Sequence, residues 1–243
     1  MKNLKIILFL LFSVNTFSLT QIITKGNDNE KSIALTFDDG PNDTSMVSIL
    51  DLLKEYNIKA SFFLIGKEIN ASSVNKKVVK RAYDEGHEIS THSYNHVKFS
   101  NLTSYQLYSE LENSNNLVYE IIGKKPKIFR APFGSFTSNG LKIADELDLI
   151  PVMWTVDTLD WNIKENKISV IEKVLKNIST NSIILMHTLP GNYKSYEALK
   201  VLIPYLQKEG YKFKKVSEII HEEAYSNTSI SNYAETFHDT LTY

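Results

Sequence analysis

Between Lys31 and Lys215 the chain alternates two patterns, and this alternation limits its fold more than any single residue does. Short apolar runs rich in β-branched and aromatic residues read as strands. They are Ile33–Phe37, Ala60–Ile65, Glu88–Thr91, Lys127–Arg130, Pro151–Val156, Ser182–His187 and Tyr211–Lys215. The segments between them carry helical spacing and helix-end residues. In Thr44–Tyr56 the apolar Val47, Leu50 and Leu53 lie three apart. Val74–Glu85, Thr103–Ile122 and Tyr196–Glu209 each stop at a glycine, which ends a helix in left-handed backbone without strain. Leu141–Leu147 and Ile168–Ile178 complete the set. Alternating strands and helices predict a parallel sheet. The expected fold is α/β, a distorted and nearly closed (β/α) barrel of about seven parallel strands, roughly one unit short of eight. An open doubly wound sheet is the alternative. The glycines form neither a dinucleotide fingerprint nor a P-loop.

With 243 residues, 42% of them hydrophobic, the chain is long enough for one full-sized domain, expected at 30–220. A formal charge of −1 without a basic stripe argues against nucleic acid as a partner. Cysteine is absent, so disulfides, a thiol nucleophile and thiolate metal ligands are excluded. Residues 1–20 follow the order of a secretory signal: basic Met1–Lys5, apolar Ile6–Val14, then Asn15, Thr16 and Ser18. The apolar run falls short of the ~20 residues of a comfortable span. A signal peptide or an uncleaved N-terminal anchor is expected, and with it a secreted or cell-surface protein. A membrane would enter only through that leader. Residues 221–243 read as a loosely attached polar tail.

In parallel β/α folds active sites form at the carboxyl ends of the strands. Reading only those ends gives Asp38-Asp39, His92 to His96, Arg130 to Gly134, Asp157 to Trp161, and Leu185 to His187. Two adjacent carboxylates before a Gly-Pro turn need a cation, a metal or a proton to move. His92 and His96, at i and i+4 on a helical turn, would present both imidazoles on one face. No Glu follows the first His, so this is not the zinc-protease motif, and the base must come from elsewhere. Two His and one carboxylate form a usual set for a catalytic metal with an open position. One aspartate would then bind the metal and the other act as base; spacing does not say which. Arg130 is a candidate bidentate partner for a buried Asp. His187 ends a very apolar strand, as a core residue or as a rim acid, and Asp157 is the candidate to orient it and raise its pKa. Trp161 and Leu185 are candidates for a small apolar pocket.

These five segments, in this order, resemble the polysaccharide deacetylase family, the NodB-homology domain or carbohydrate esterase family 4, across roughly residues 30–220. Thr36-Phe-Asp-Asp-Gly40, His92-Ser-Tyr-Asn-His96, Arg130-Ala-Pro-Phe133, Asp157-Thr-Leu-Asp-Trp161 and Leu185-Met-His187 match its five motifs. The resemblance implies hydrolysis of an N-acetyl group from an amino sugar in a polymer, peptidoglycan ahead of chitin oligomers. It implies Asp38 as general base, oriented by Arg130, and one divalent metal held by Asp39, His92 and His96. Zinc is the expected ion; cobalt, manganese and nickel also fit. It further implies His187 as general acid tuned by Asp157, and the Phe133 N–H at the oxyanion. Pro132, Phe133, Trp161 and Leu185 would contact substrate. Phe133 stands where the family often has Tyr, and Thr188 where it often has Asp. A polysaccharide substrate and a monomeric chain are expected. The other possibilities are an O-acetyl esterase on xylan or another glycan using the same site, a two-carboxylate glycosidase using Asp157 and Asp160, and a non-catalytic wall-binding module.

Overall fold

A computed structural model describes residues 21–226. The expected leader and the tail beyond 226 lie outside the described residues. In chain order the strands are β1 Ser32–Asp39, β2 Ser61–Leu64, β3 Glu88–Thr91, β4 Lys125–Pro126, β5 Ile128–Phe129, β6 Ile150–Pro151, β7 Val156–Asp157, β8 Ser182–His187, β9 Lys212–Phe213 and β10 Tyr225–Ser226. The helices are α1 Ser45–Glu55, α2 Gly66–Asn70, α3 Ser73–Asp84, α4 Ser104–Ile122, α5 Ser138–Glu146, α6 Lys167–Asn177, α7 Lys194–Lys208 and α8 Val216–Ile220.

Seven strands form the curled parallel sheet, in the order β6-β5-β3-β2-β1-β8-β7, and β9 pairs with the start of β1. This is the distorted β/α barrel that the alternation predicts. β1 is central because both its faces find cover. Ile33, Leu35 and Phe37 join the cluster formed with α1, α3 and α7. Ala34 turns the other way, into a smaller cluster with Phe63, Ile128, Val152 and Ile183. A strand buried on both sides reads as a nearly continuous apolar run, as β1 does. α8 closes the amino end of the barrel. Its Val216, Ile219 and Ile220 complete that smaller cluster. The Val216 N–H donates to Ser61 Oγ at 2.9 Å and the Ser217 N–H to Glu88 Oε2 at 3.0 Å, at the first residues of β2 and β3. The opposite rim, where all the parallel strands end, stays open.

Two expectations are corrected. The run Pro151–Val156 is not one strand. Its start is β6, at one edge of the sheet, and its end runs into β7, at the other. The residues between cross the gap, carried by Ile23, whose N–H donates to Pro151 O and whose carbonyl accepts from Met153 N. The barrel closes through this peptide rather than through a strand pair. Residues 221–226, expected to be loosely attached, are held to the body of the fold. β10 pairs antiparallel with β4, and the Tyr225 hydroxyl accepts the Ile89 N–H at 2.9 Å.

Candidate active site

The carboxyl ends of β1, β3, β5, β7 and β8 surround one cleft of about 460 Å³, within the range of small-ligand sites. Asp38, Asp39, His92, His96, Phe133, Gly134, Trp154, Asp157, Trp161, Leu185 and His187 line it. Asp38 is opposite His187 in the β1–β8 register. Of the residues expected from sequence, only Arg130 and Pro132 are not on the wall. Arg130 lies beneath it. Pro132 is buried in the turn after β5, so substrate contact through Pro132 is not what the structure shows. Trp154 is an addition that the strand-end reading does not contain. Trp154 sits in the crossing segment, inside a run read as core strand.

Arg130 is fully buried and anchors the site. Its Nη1 donates to Asp38 Oδ1 at 2.5 Å and to Thr36 Oγ1 at 3.0 Å. Nε donates to Val152 O at 3.3 Å and Nη2 to Met153 O at 2.9 Å. Its guanidinium carbon lies 4.0 Å from the centre of the Phe63 ring. The buried cation compensates a carboxylate that is 2% exposed, which desolvation alone would oppose. Thr188 holds the same residue from behind, its N–H and hydroxyl both donating to Asp38 O.

Asp39, His92 and His96 offer donor atoms that all lie within 4.8 Å of one another. Asp39 Oδ1 is 3.6 Å from His96 Nε2, and Asp38 Oδ2 is 3.6 Å from His92 Nε2. His92 Nδ1 donates to Arg130 O at 2.8 Å, which fixes the tautomer and leaves Nε2 as the free lone pair. Burial lowers the pKa of both histidines, keeping them neutral. Burial also raises that of Asp39, with the Asp38 charge adding to it. Neutral imidazoles and a destabilised carboxylate fit a cation, which would relieve the carboxylate. The histidines are not on a helical turn, as expected, but in an irregular loop with Ser93 at φ 63 and His96 at φ 57. Asp39, Phe133 and Leu159 are also left-handed. Five of the nine such non-glycine residues among those described lie at this rim, at a cost on the order of 1 kcal/mol each. Strain gathered at one rim is what a functional site shows.

His187 is bound by Asp160, not by Asp157. Its Nδ1 lies 2.7 Å from Asp160 Oδ1, and its backbone N–H donates to Asp160 Oδ2 at 2.8 Å. Asp160 is fully buried and also accepts from Thr158 Oγ1 and Ser195 Oγ. Asp157 accepts the Leu159 N–H at 2.9 Å, a local turn that swings Asp160 under the histidine. Burial lowers the His187 pKa, but the Asp160 hydrogen bond and charge, with Asp38 and Asp39 behind, raise it to about 9. Leu185 and the two tryptophans form an apolar wall beside it; Trp161 is 52% exposed.

Residues 25–152 match the model of the polysaccharide deacetylase family. A peptidoglycan-N-acetylglucosamine deacetylase of Bacillus cereus is 36% identical over 190 residues, 77% of this chain and 68% of the relative. A peptidoglycan-N-acetylglucosamine deacetylase of Listeria monocytogenes is 32% identical over 193 residues, and there the match spans only 40% of the relative's length. Among solved structures, a peptidoglycan N-acetylglucosamine deacetylase in complex with an aryl N-hydroxybenzamide superposes with a TM-score of 0.80 at 32% identity, covering 84% of this chain and 95% of that one. A carbohydrate esterase family 4 pseudoenzyme from Bacillus anthracis superposes at 0.76 and 30% identity, covering 83% and 69%. With a barrel of this form and the five motifs gathered on one cleft, the chain belongs to the polysaccharide deacetylase family, carbohydrate esterase family 4.

Proposed function

We propose that the chain removes N-acetyl groups from N-acetylglucosamine units of an extracellular polysaccharide, peptidoglycan first and chitin oligomers next. One observation carries this: a single cleft holds a carboxylate tethered to a buried arginine, a two-histidine, one-aspartate donor set, and a histidine held protonated by a buried carboxylate. Asp39, His92 and His96 would hold a divalent cation, zinc by preference, with cobalt, manganese or nickel suiting the same donors. When bound, the cation lowers the pKa of a water and polarises an acetamide carbonyl.

The chain's own residues supply the rest. Asp38 keeps Oδ1 on Arg130 and turns Oδ2 toward the His92 ring, so its free oxygen accepts the proton of the attacking water. Water oxygen adds to the carbonyl carbon, and the Phe133 N–H supports the resulting oxyanion. His187 donates its proton to the nitrogen as the C–N bond breaks. Acetate and a glucosamine unit leave. Leu185, Trp154 and Trp161 take the acetyl methyl. Both the base and the acid are present, which supports catalysis over a binding-only role. A glycosidase built on Asp157 and Asp160 is disfavoured, because Asp160 is fully buried with both oxygens engaged. A wall polymer as substrate places the protein outside the cytoplasmic membrane.

The test is acetate and free amine released from peptidoglycan and N-acetylglucosamine oligomers, with and without chelator. Chelator-sensitive release is expected, and Asp38→Asn or His187→Ala should lower it about 100-fold or more. Chelator-insensitive release, or full activity in either variant, would overturn the assignment.

A further inference from the structure

The loop that carries His92 and His96 has no regular hydrogen-bonding pattern of its own, and two of its residues are in left-handed backbone. Ser93 and His96 are not glycines, so their surroundings must impose this shape. Two supports are local. The His96 N–H donates to Ser93 Oγ at 3.1 Å. The start of α2 docks beneath, with Gly66 N–H on Ser93 O at 3.0 Å and Lys67 N–H on Tyr94 O at 2.8 Å. The third support comes from the far side, from α4. Glu110 Oε2 accepts the Tyr94 N–H at 3.0 Å and the Asn95 N–H at 2.7 Å, and Oε1 accepts Asn95 Nδ2 at 2.6 Å.

We infer that Glu110 is a positioning residue for the metal-binding loop: its carboxylate fixes the Tyr94 and Asn95 N–H groups and so sets where the two histidines on either side present their rings. This rests on Asp39, His92 and His96 being the metal donors. Glu110 is 8% exposed and stands on the buried face of α4, between Leu107 and Leu111 on one side and Ser114 on the next turn. A carboxylate there is costly unless hydrogen bonds satisfy it. Among the described residues no arginine, lysine or histidine forms an ion pair with it; the recorded donors all come from the histidine loop. Three donors converge, so only a side chain that accepts on both atoms satisfies them all. Glutamine would turn its NH₂ against either the peptide pair or Asn95.

The inference and a purely structural role separate in one experiment. The full chain is stripped of metal and titrated with Zn(II) against a chromophoric chelator, and thermal unfolding of the metal-free protein is followed in parallel. Glu110→Gln should weaken Zn(II) binding at least tenfold, the effect typical of losing a group that orients a ligand. Combined with Asn95→Asp, the carboxylate and amide exchange places: the glutamine oxygen takes both peptide N–H groups and its NH₂ meets the new carboxylate. That double variant should return to within about threefold of the parent affinity. Unchanged Zn(II) affinity in Glu110→Gln, with only a lower unfolding temperature, would overturn the inference, as would a double variant no better than the single. If Glu110→Gln does not fold, Asn95→Ala is measured instead; about threefold weaker binding is expected, and unchanged affinity overturns the inference. If the parent binds no Zn(II), the donor assignment itself falls, and this inference with it.

Discussion

At the scale of single residues, the cleft works by giving like groups unlike neighbours. Asp38 faces a buried arginine, Asp39 faces two neutral histidines, and Asp160 faces the protonated His187 ring and two hydroxyls. The same chemistry is thereby fitted to three proposed roles: base, ligand and orienter. Asp160 has a pH-dependent consequence. His187 is raised to about 9 against an ordinary 6.5, so it is charged in the folded state where the unfolded chain would already have lost its proton. Its stabilising contribution is fully present below pH 6.5 and is lost as pH rises to about 9. In its proposed role as general acid it loses its proton around its folded-state pKa, so activity should fall on the alkaline side, no later than about pH 9; a cation beside Asp39 would bring the fall earlier. Asp160→Asn should lower kcat at least tenfold and move that alkaline limb by about a unit or more toward acid. Asp157→Asn should leave the limb in place. A limb that moves with Asp157 and not with Asp160 would reverse the pairing seen here.

At the scale of elements, regular pieces were legible in the chain and the turns between them were not. β3 falls at Glu88–Thr91 as expected, because its ends are set by Gly86 before it and the histidine loop after it. The helices shift by a residue or a few at their ends, as with Ser45–Glu55 against Thr44–Tyr56. The i, i+4 spacing of His92 and His96 was informative for the wrong reason, since the loop brings the rings to 4.9 Å without a helix. Asp160 was passed over because sequence order favours the strand-end Asp157, and only the left-handed Leu159 reverses that. Glu110 did leave a signal, a carboxylate on the apolar stripe of α4, but its partner lies in a loop whose shape no local pattern encodes. The fit of α2 under that loop is close. A Cβ on Gly66 would come within 2.5 Å of the Tyr94 ring and 3.2 Å of its Cα. Gly66→Ala should therefore displace Tyr94, cost about 1–3 kcal/mol and weaken metal binding, read by chemical denaturation and metal titration. At the other end of β3, His87 accepts the Ala60 N–H on Nδ1, and burial, with Lys59 and Arg81 near, lowers its pKa to about 3. Its contribution is present above pH 6.5 and is lost as pH falls from there toward 3. His87→Asn keeps the acceptor and removes the titration, so unfolding free energy should fall less steeply below pH 6.5 than in the parent.

At the scale of the whole molecule, the barrel is closed and the proposed base, Asp38, is held by the same side chain. The sheet's two edges never pair directly; Val152 to Thr155 cross between them. Arg130 donates to Val152 O and Met153 O in that crossing and to Thr36 and Asp38 in the central strand. On the far side of the gap, the Thr155 N–H donates to Ile183 O at 3.0 Å, so the crossing is tied to both halves of the sheet. One buried cation thus couples the geometry of Asp38 to the closure of the fold. Arg130→Met matches much of its length but leaves the Asp38 charge buried without a partner, a change worth about 3–5 kcal/mol. For a domain of this size that corresponds to a fall of roughly 6–20 °C in Tm. Adding Asp38→Asn removes the stranded charge while Val152 O and Met153 O still lack their donors. The double variant should regain at least half of the lost stability and remain inactive. If it were no more stable than Arg130→Met alone, the cost would lie in the crossing peptide rather than in the ion pair. Calorimetry of the two variants beside the parent decides between these, because the ion-pair account alone predicts that taking away a second polar group restores the fold.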